Sequence, residues 1–247
     1  EHGTDRSAQI ILLLVFIQVL EIINDKNLND INIINRILIL CTIAISLKVF
    51  YFIYLSLFFL IIFHQKTKIN FLINLFKNKI SYVCLLLISF LLITNVMNSG
   101  CLIYPMSITC FENLSWSIPI QEVNNMNQWY QQWSKGGATP NFRVENPKTY
   151  IQNLNWFSNW IDVYFFNKVS DYLFGLIFLI LISVLFLINK NKKKVSKKQY
   201  ISIYILLILL FLEWFFYHPA LRYGGYHLIA LLFFIPFSIF FVININF

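Results

Sequence analysis

The chain has 247 residues, 58% of them hydrophobic and 12% charged, with a formal net charge of +8 and a mean hydropathy of +0.67. A soluble domain carries about a quarter charged residues, so this composition excludes an ordinary soluble enzyme and points to a polytopic membrane protein. The positive balance does not point to nucleic acid. Six of the nineteen basic residues fall in 190–198 and four in 66–79, both between apolar runs, which is the positive-inside pattern of short cytoplasmic loops, with attraction to anionic headgroups as its corollary.

The chain opens on Glu1, His2, Gly3, Thr4, Asp5 and Arg6. Two carboxylates, an imidazole and a guanidinium thus gather ahead of the first apolar run, 10–23. Thr4 or Asp5 either caps that helix or serves with its neighbours as a base or anion clamp at the membrane surface. Both ends of the chain read as cut from a longer protein. The abundance of Ile, Asn, Lys, Phe and Tyr fits a low-GC bacterial source. Gln18 and Glu21 interrupt the first run, so it reads as a short or partly protein-facing helix, and 24–30 is a polar turn.

Residues 33–63 form an apolar run interrupted by Lys48. As one helix it is roughly 46 Å long, well beyond a hydrocarbon core of about 30 Å. It is either one strongly tilted helix or two short helices meeting near Lys48, and the second is easier to reconcile with a charge in mid-run. Residues 65–79 place four lysines around an apolar FLINLF core and read as an amphipathic segment lying at the interface. Residues 80–96 span.

The long polar region, 98–167, holds five of the six tryptophans and four of the six prolines, an aromatic density that predicts ordered short helices within 124–133 and 149–164 rather than a solvated linker. Gly100 and Pro105 turn the chain along the surface after the preceding span. Cys101 and Cys110 either pair, if this loop faces an oxidising compartment, or remain two thiols. Runs 172–188, 200–216 and 226–241 then span. Between the last two lies the segment from Tyr217 to His227, where Pro219 and the pair Gly224–Gly225 mark a non-helical connection carrying His218, Arg222, Tyr223 and His227. Arg222 with flanking tyrosines suits an anionic or phosphate headgroup. Glu213 in the preceding span is a candidate partner for Arg222 or Lys48.

These elements predict an all-α transmembrane bundle of about six or seven membrane helices with one long extracytoplasmic loop containing short interfacial helices. Its parts are 1–97 (membrane helices and a cytoplasmic amphipathic segment), 98–167 (the loop) and 168–247 (membrane helices). With 190–198 in the cytoplasm, the count puts 66–79 inside and 98–167 outside. If 33–63 is a hairpin, Lys48 and the N-terminal head also lie outside. His2, His64, His218 and His227 lack ligand spacing, and the sequence contains no Walker loop, GxGxxG or GxSxG.

The head Gly3-Thr4-Asp5-Arg6, the Leu47-Lys48 break, the SGCLIYP stretch from Ser99 to Pro105 opening a Trp-rich loop, and Arg222-Tyr223-Gly224-Gly225-Tyr226 follow in an order that resembles C-type glycosyltransferases using polyprenyl-phosphate sugars, and the related O-antigen polymerase-like proteins. The resemblance implies a bacterial inner-membrane protein of envelope-glycan assembly whose partners are membrane lipid and a polyprenyl-phosphate-linked sugar, with no nucleic acid. It implies Asp5 or Glu1 as the carboxylate that takes the acceptor proton. Arg222, Lys48 and Arg6 become the lipid-phosphate binders, with His218, His227, Tyr223 and Glu213 around the same cavity. No cofactor is called for and the transfer is metal-optional. Competing classes are a transporter or flippase for an amphipathic solute, which would use the same polar residues as a path through the bilayer, and a non-catalytic assembly subunit.

Overall fold

The computed structural model describes residues 4–24, 30–65, 67–139, 142–187 and 198–244. Among these the protein is all-helical. The one β-type pairing is an isolated bridge between Cys101 and Cys110. Four helical stretches are long and apolar enough to cross a membrane: Thr4–Ile23, Lys79–Ser99, Phe157–Leu185 and Tyr200–Tyr217. The chain divides into two units, Glu1–Asn127 and Gln128–Phe247.

In the first unit, α1 (Thr4–Asn24) starts six residues before the apolar run suggests. Asp5, Gln9, Leu12, Phe16, Val19 and Ile23 recur at helical spacing and are all buried, so the polar head continues the buried stripe by one turn. α1 packs on α2 (Ile31–Leu47). Asp30 caps α2, its Oδ1 accepting from the N–H groups of Asn32 and Ile33 at 2.9 and 3.4 Å, which supplies two of the donors that every helix start leaves open.

The run 33–63 is two helices. Lys48 ends α2 in an extended conformation. A 3-10 stretch, Val49–Leu55, turns the chain, and α3 (Ser56–His64) returns along α1. Phe16 of α1 meets Tyr54 edge-on at 6.2 Å. Next comes α4 (Lys68–Lys77), then α5 (Lys79–Ser99). The Asn78 carboxamide donates to Asn35 near the start of α2, so α5 begins beside that start and runs along α2. Just 11% of the apolar window of α5 is buried within the protein. A helix apolar all round with its faces open fits lipid as its solvent. Gly100 ends α5 at φ +76°, a left-handed cap that glycine adopts without strain. Cys101 and Cys110 form a disulfide, within a small hairpin where Leu102 N–H donates to Thr109 and Phe111 N–H to Gly100.

Helix α6 (Ile120–Lys135) runs through the boundary between the units. In the second unit α7 (Pro147–Ile151) is a single turn, and α8 (Phe157–Trp160) opens a continuous helical stretch. It passes through nine π-helical residues, Ile161–Val169, into α9 (Ser170–Leu187). The sequence suggests a start near residue 172 and a separate interfacial helix before it. The two are one because no glycine or proline separates Phe157 from Phe174. α10 (Lys198–Tyr217) packs on α11 (Gly225–Asn244), joined by a connection with a 3-10 turn at Leu221–Tyr223. The turn 24–30 and the lysine cluster 190–198 fall mostly outside the described residues.

Candidate functional site

Of the N-terminal candidates, Glu1 and His2 lie outside the described residues. Asp5 sits in the first turn of α1, where a carboxylate complements the helix dipole, and its Oδ1 accepts from the Lys48 ammonium in an ion pair. The two belong together for a geometric reason. α1 and α2 are antiparallel, so the start of one meets the end of the other, and the extended backbone at Lys48 turns its side chain back toward α1. Asp5 is buried and Lys48 is half-buried, a setting in which either charge without the other is expensive. Arg6, the next residue of α1, is exposed.

In the second unit the connection between α10 and α11 is held by aromatic residues with polar tips. Trp160 Nε1–H donates to the Pro219 carbonyl at 2.8 Å, and Trp214 Nε1–H donates to the Ala220 carbonyl at 3.0 Å. The Leu221 N–H donates to Tyr164 Oη at 2.8 Å, and Tyr172 Oη donates to the Tyr226 carbonyl at 2.6 Å. Four backbone groups of this connection and of the first turn of α11 therefore find partners inside the unit, as buried peptide groups must. Gly225 is required by close approach: a Cβ there would lie 2.5 Å from Trp214 Cζ2.

On this fixed loop Arg222 is half-buried, its guanidinium 5.4 Å from the Trp133 ring centroid and 5.7 Å from that of Tyr223. Trp133 and Tyr223 meet edge-on at 5.8 Å, and His218 lies 5.7 Å from Tyr223. Arg222, Tyr223, His218 and Trp133 thus form one cluster. His227 is buried in the first turn of α11. Glu213 is half-buried on α10 and makes no ion pair among the described residues. Within the second unit the partnership suggested for it with Arg222 is not formed, and within the first unit Lys48 pairs with Asp5.

The same aromatic residues wall an apolar groove of about 520 Å³. Its lining includes Trp160, Ile161, Phe165, Phe211, Trp214 and Phe233, and no polar side chain. The π-helical stretch contributes Ile161 and Phe165 to the groove while Tyr164 holds the loop. Trp160 and Trp214 belong to both places, their rings in the groove wall and their N–H groups on the loop that carries Arg222. The spacing of these residues gives no signal for this double duty, since Trp214 lies fifty-four residues from Trp160.

A second feature is equally silent in the sequence. Lys135 ends α6 and precedes two glycines, which reads as an ordinary solvated helix end, yet it is 4% exposed. Its ammonium donates to the Ile151 carbonyl at 2.9 Å and lies 5.4 Å from the Trp156 ring centroid. Burial pushes it down to about 8. Its carbonyl accepts from Tyr150 Oη at 3.2 Å, and Asn159 donates to that oxygen at 3.0 Å. Among the described residues no group of three His, Cys, Asp or Glu side chains is placed to hold a metal ion.

The model of one family, described as a domain of unknown function (DUF8201), matches residues 3–230, and the chain belongs to that family. No curated protein and no solved structure matches it.

Proposed function

We propose that this DUF8201 member is a multi-span membrane protein of cell-envelope glycan assembly that binds a polyprenyl-phosphate-linked sugar, with the phosphate on Arg222 and the isoprenoid chain in the apolar groove of the second unit. The observation that carries this reading is the shared wall. Trp160 and Trp214 line an apolar groove and also fasten the loop bearing a guanidinium. A groove that admits hydrocarbon, tied through two indoles to the loop that bears a cation, matches an amphipathic anion better than a wholly polar solute. The guanidinium makes paired hydrogen bonds to phosphate oxygens, and flanking rings hold its plane without neutralising it.

The topology follows the lysines. The end of the first unit with the Asp5–Lys48 pair is the end to which α5 leads, and α5 continues into the Cys101–Cys110 disulfide. A disulfide favours an oxidising compartment, and Lys68, Lys77 and Lys79 lie toward the other end, beside the start of α5, as the positive-inside pattern asks. With α2, the stretch from Val49 to His64 and α11 added to the four long spans, the count reaches six or seven. In this reading Arg222 stabilises the departing lipid phosphate, and the assignment of Asp5 as the base stands separately, on the resemblance alone.

The test uses the full chain in nanodiscs with a polyprenyl phosphate. Arg222→Ala is expected to weaken binding by about 2–3 kcal/mol, the loss of a charge-assisted hydrogen bond, and Arg222→Lys to restore part of it, because the fork is gone but the charge remains. Unchanged binding in Arg222→Ala overturns the phosphate assignment. Normal glycolipid output from cells carrying Asp5→Asn at unchanged protein level overturns the assignment of the base.

A further inference from the structure

Helix α5 ends in a loop that carries no charge. From Ile80 to Phe111 the sequence contains no Asp, Glu, Lys, Arg or His, so the uncharged stretch runs past the end of α5 at Ser99 and through the whole Cys101–Cys110 hairpin. Turns in water are dominated by Gly, Pro, Asn, Asp and Ser. Leu102, Ile103, Tyr104, Met106 and Ile108 fill most of this one. The hairpin bonds its polar groups to one another. Leu102 N–H donates to the Thr109 carbonyl at 3.0 Å, Met106 N–H to Ile103 at 2.8 Å, Cys110 N–H to Ser107 at 3.1 Å and Phe111 N–H to Gly100 at 2.8 Å. The Thr109 hydroxyl accepts from the Ile103 N–H at 3.1 Å and donates to the Met106 carbonyl at 2.8 Å. The side chains left open are apolar: Ile108 is 85% exposed, Met106 51% and Phe111 48%.

The loop is also fixed in height. Asn95 Nδ2 donates to the Leu102 carbonyl at 3.0 Å, Trp116 Nε1–H to the Val96 carbonyl at 3.1 Å, and Ile118 N–H to the Ser99 carbonyl at 3.1 Å. These bonds tie both arms of the loop to the end of α5, so the hairpin sits beside the end of the span instead of standing off from it. Trp116 has its polar tip bound and its ring 49% exposed, the condition of a tryptophan at a membrane–water interface. α5 itself is open along its apolar faces, which gives it lipid for a neighbour.

We infer that the Cys101–Cys110 hairpin is a lipid-contacting wedge, with Met106, Ile108 and Phe111 entering the headgroup and acyl boundary of the leaflet in which α5 ends. Continuity with the lipid face of α5 favours lipid as the occupant. So does the internal bonding of the backbone, since peptide groups entering a leaflet need partners that water no longer supplies. Size argues against a protein partner: a stable interface takes about 20–30 residues a side, and three open apolar side chains fall far short of that. The inference rests on α5 spanning a membrane. It involves neither Arg222 nor the apolar groove and stands or falls apart from the function proposed above.

The test places an NBD fluorophore on Ile108→Cys in the full chain in phosphatidylcholine nanodiscs. Cys41 and Cys84 are buried and Cys101 and Cys110 are paired, so the label goes to the new thiol. An apolar face at an interface lies about 5–10 Å into the headgroup and acyl boundary. A nitroxide near the head of the lipid chain should therefore quench this probe several-fold more than the same probe on Glu122→Cys, which replaces an exposed carboxylate in the first turn of α6. Aqueous iodide should give the reverse order. With the probe on Met106→Cys, adding Ile108→Asp should lower the lipid quenching toward the Glu122→Cys value, because a carboxylate resists leaving water. Should the added thiol exchange with the disulfide, p-benzoylphenylalanine in place of Ile108 gives a second reading, and irradiation should yield a lipid adduct by mass spectrometry. Equal lipid quenching at Ile108→Cys and Glu122→Cys, or iodide reaching both alike, overturns the inference. Cross-links from position 108 to a second copy or to another protein in place of lipid overturn it too.

Discussion

Lys48 in the first unit and Lys135 in the second are the same residue removed from water in two ways. Lys48 meets a carboxylate, Asp5, across two antiparallel helices. Lys135 meets a backbone carbonyl and the face of an indole. The first solution satisfies two charges with each other, so neither can be removed alone. The second satisfies one charge with neutral dipoles, so the charge itself is expendable. Ion pairs in partly buried sites are costly to break, whereas replacing a buried charge with hydrocarbon is often close to neutral. The two units should therefore respond differently to the loss of one charged group.

The largest effect is expected from breaking the pair. Asp5→Asn leaves the Lys48 ammonium facing an amide and should cost about 3 kcal/mol, the lower end for a buried pair, because Lys48 retains a quarter of its side-chain exposure. Asp5→Asn/Lys48→Met should recover at least half of that loss. Unfolding midpoints in detergent read both values. A loss under about 1 kcal/mol, the range of surface pairs, would mean that the pair is solvated and that the contrast with Lys135 has no energetic content.

The sequence reading reached the first unit more readily than the second, for a physical reason. Hydropathy is a local property, and so is the expense of a cation in an apolar run. Both marked Lys48 and the break in 33–63, and the charged head marked Asp5. The second unit depends on approaches between distant positions: Trp160 on Pro219, Tyr164 on Leu221, Tyr172 on Tyr226. Nothing in the spacing of those residues announces them. The composition of the Tyr217–His227 connection did identify Arg222 and Tyr223 as neighbours of interest, but its fastening by indoles was not legible. Lys135 was hidden by its own context, since a lysine before a glycine pair is an ordinary end for an exposed helix.

A middle-sized effect sharpens the comparison from the side of the second unit, where neutral hydrogen bonds carry the load. Tyr164→Phe removes the acceptor of a buried backbone N–H at Leu221 without changing the ring. The expected loss is about 1–2 kcal/mol. Hydrogen exchange at Leu221 should quicken while exchange in α1 and α2 stays as it was. Unchanged protection at Leu221 would show that the loop is held without Tyr164.

The smallest effect at neutral pH is expected at Lys135 itself, and its pH dependence is where the comparison is most exposed. Lys135→Met keeps a stem of similar length against Trp156 and removes the charge. It forfeits the bond to Ile151, about 1 kcal/mol, and the contact with the indole face. It also removes the expense of holding an ammonium out of water, which has the opposite sign. The net change should be within about 1 kcal/mol of zero, well short of the loss from Asp5→Asn. In the folded chain burial lowers this group from 10.5 to about 8. Between those values the unfolded chain carries a proton that the folded chain has shed, so stability rises with pH through the window. The Met variant has no proton to shed there. Relative to it, the parent protein should gain stability as pH climbs from about 8 toward 10.5 and hold a constant difference below that range. Midpoints of both proteins measured across the window decide the matter. A gap that stays flat would place Lys135 in water. A gap that moves against the parent would mean the charged form is the stabilised one, with an anion beside it, and Lys135 would then resemble Lys48 after all.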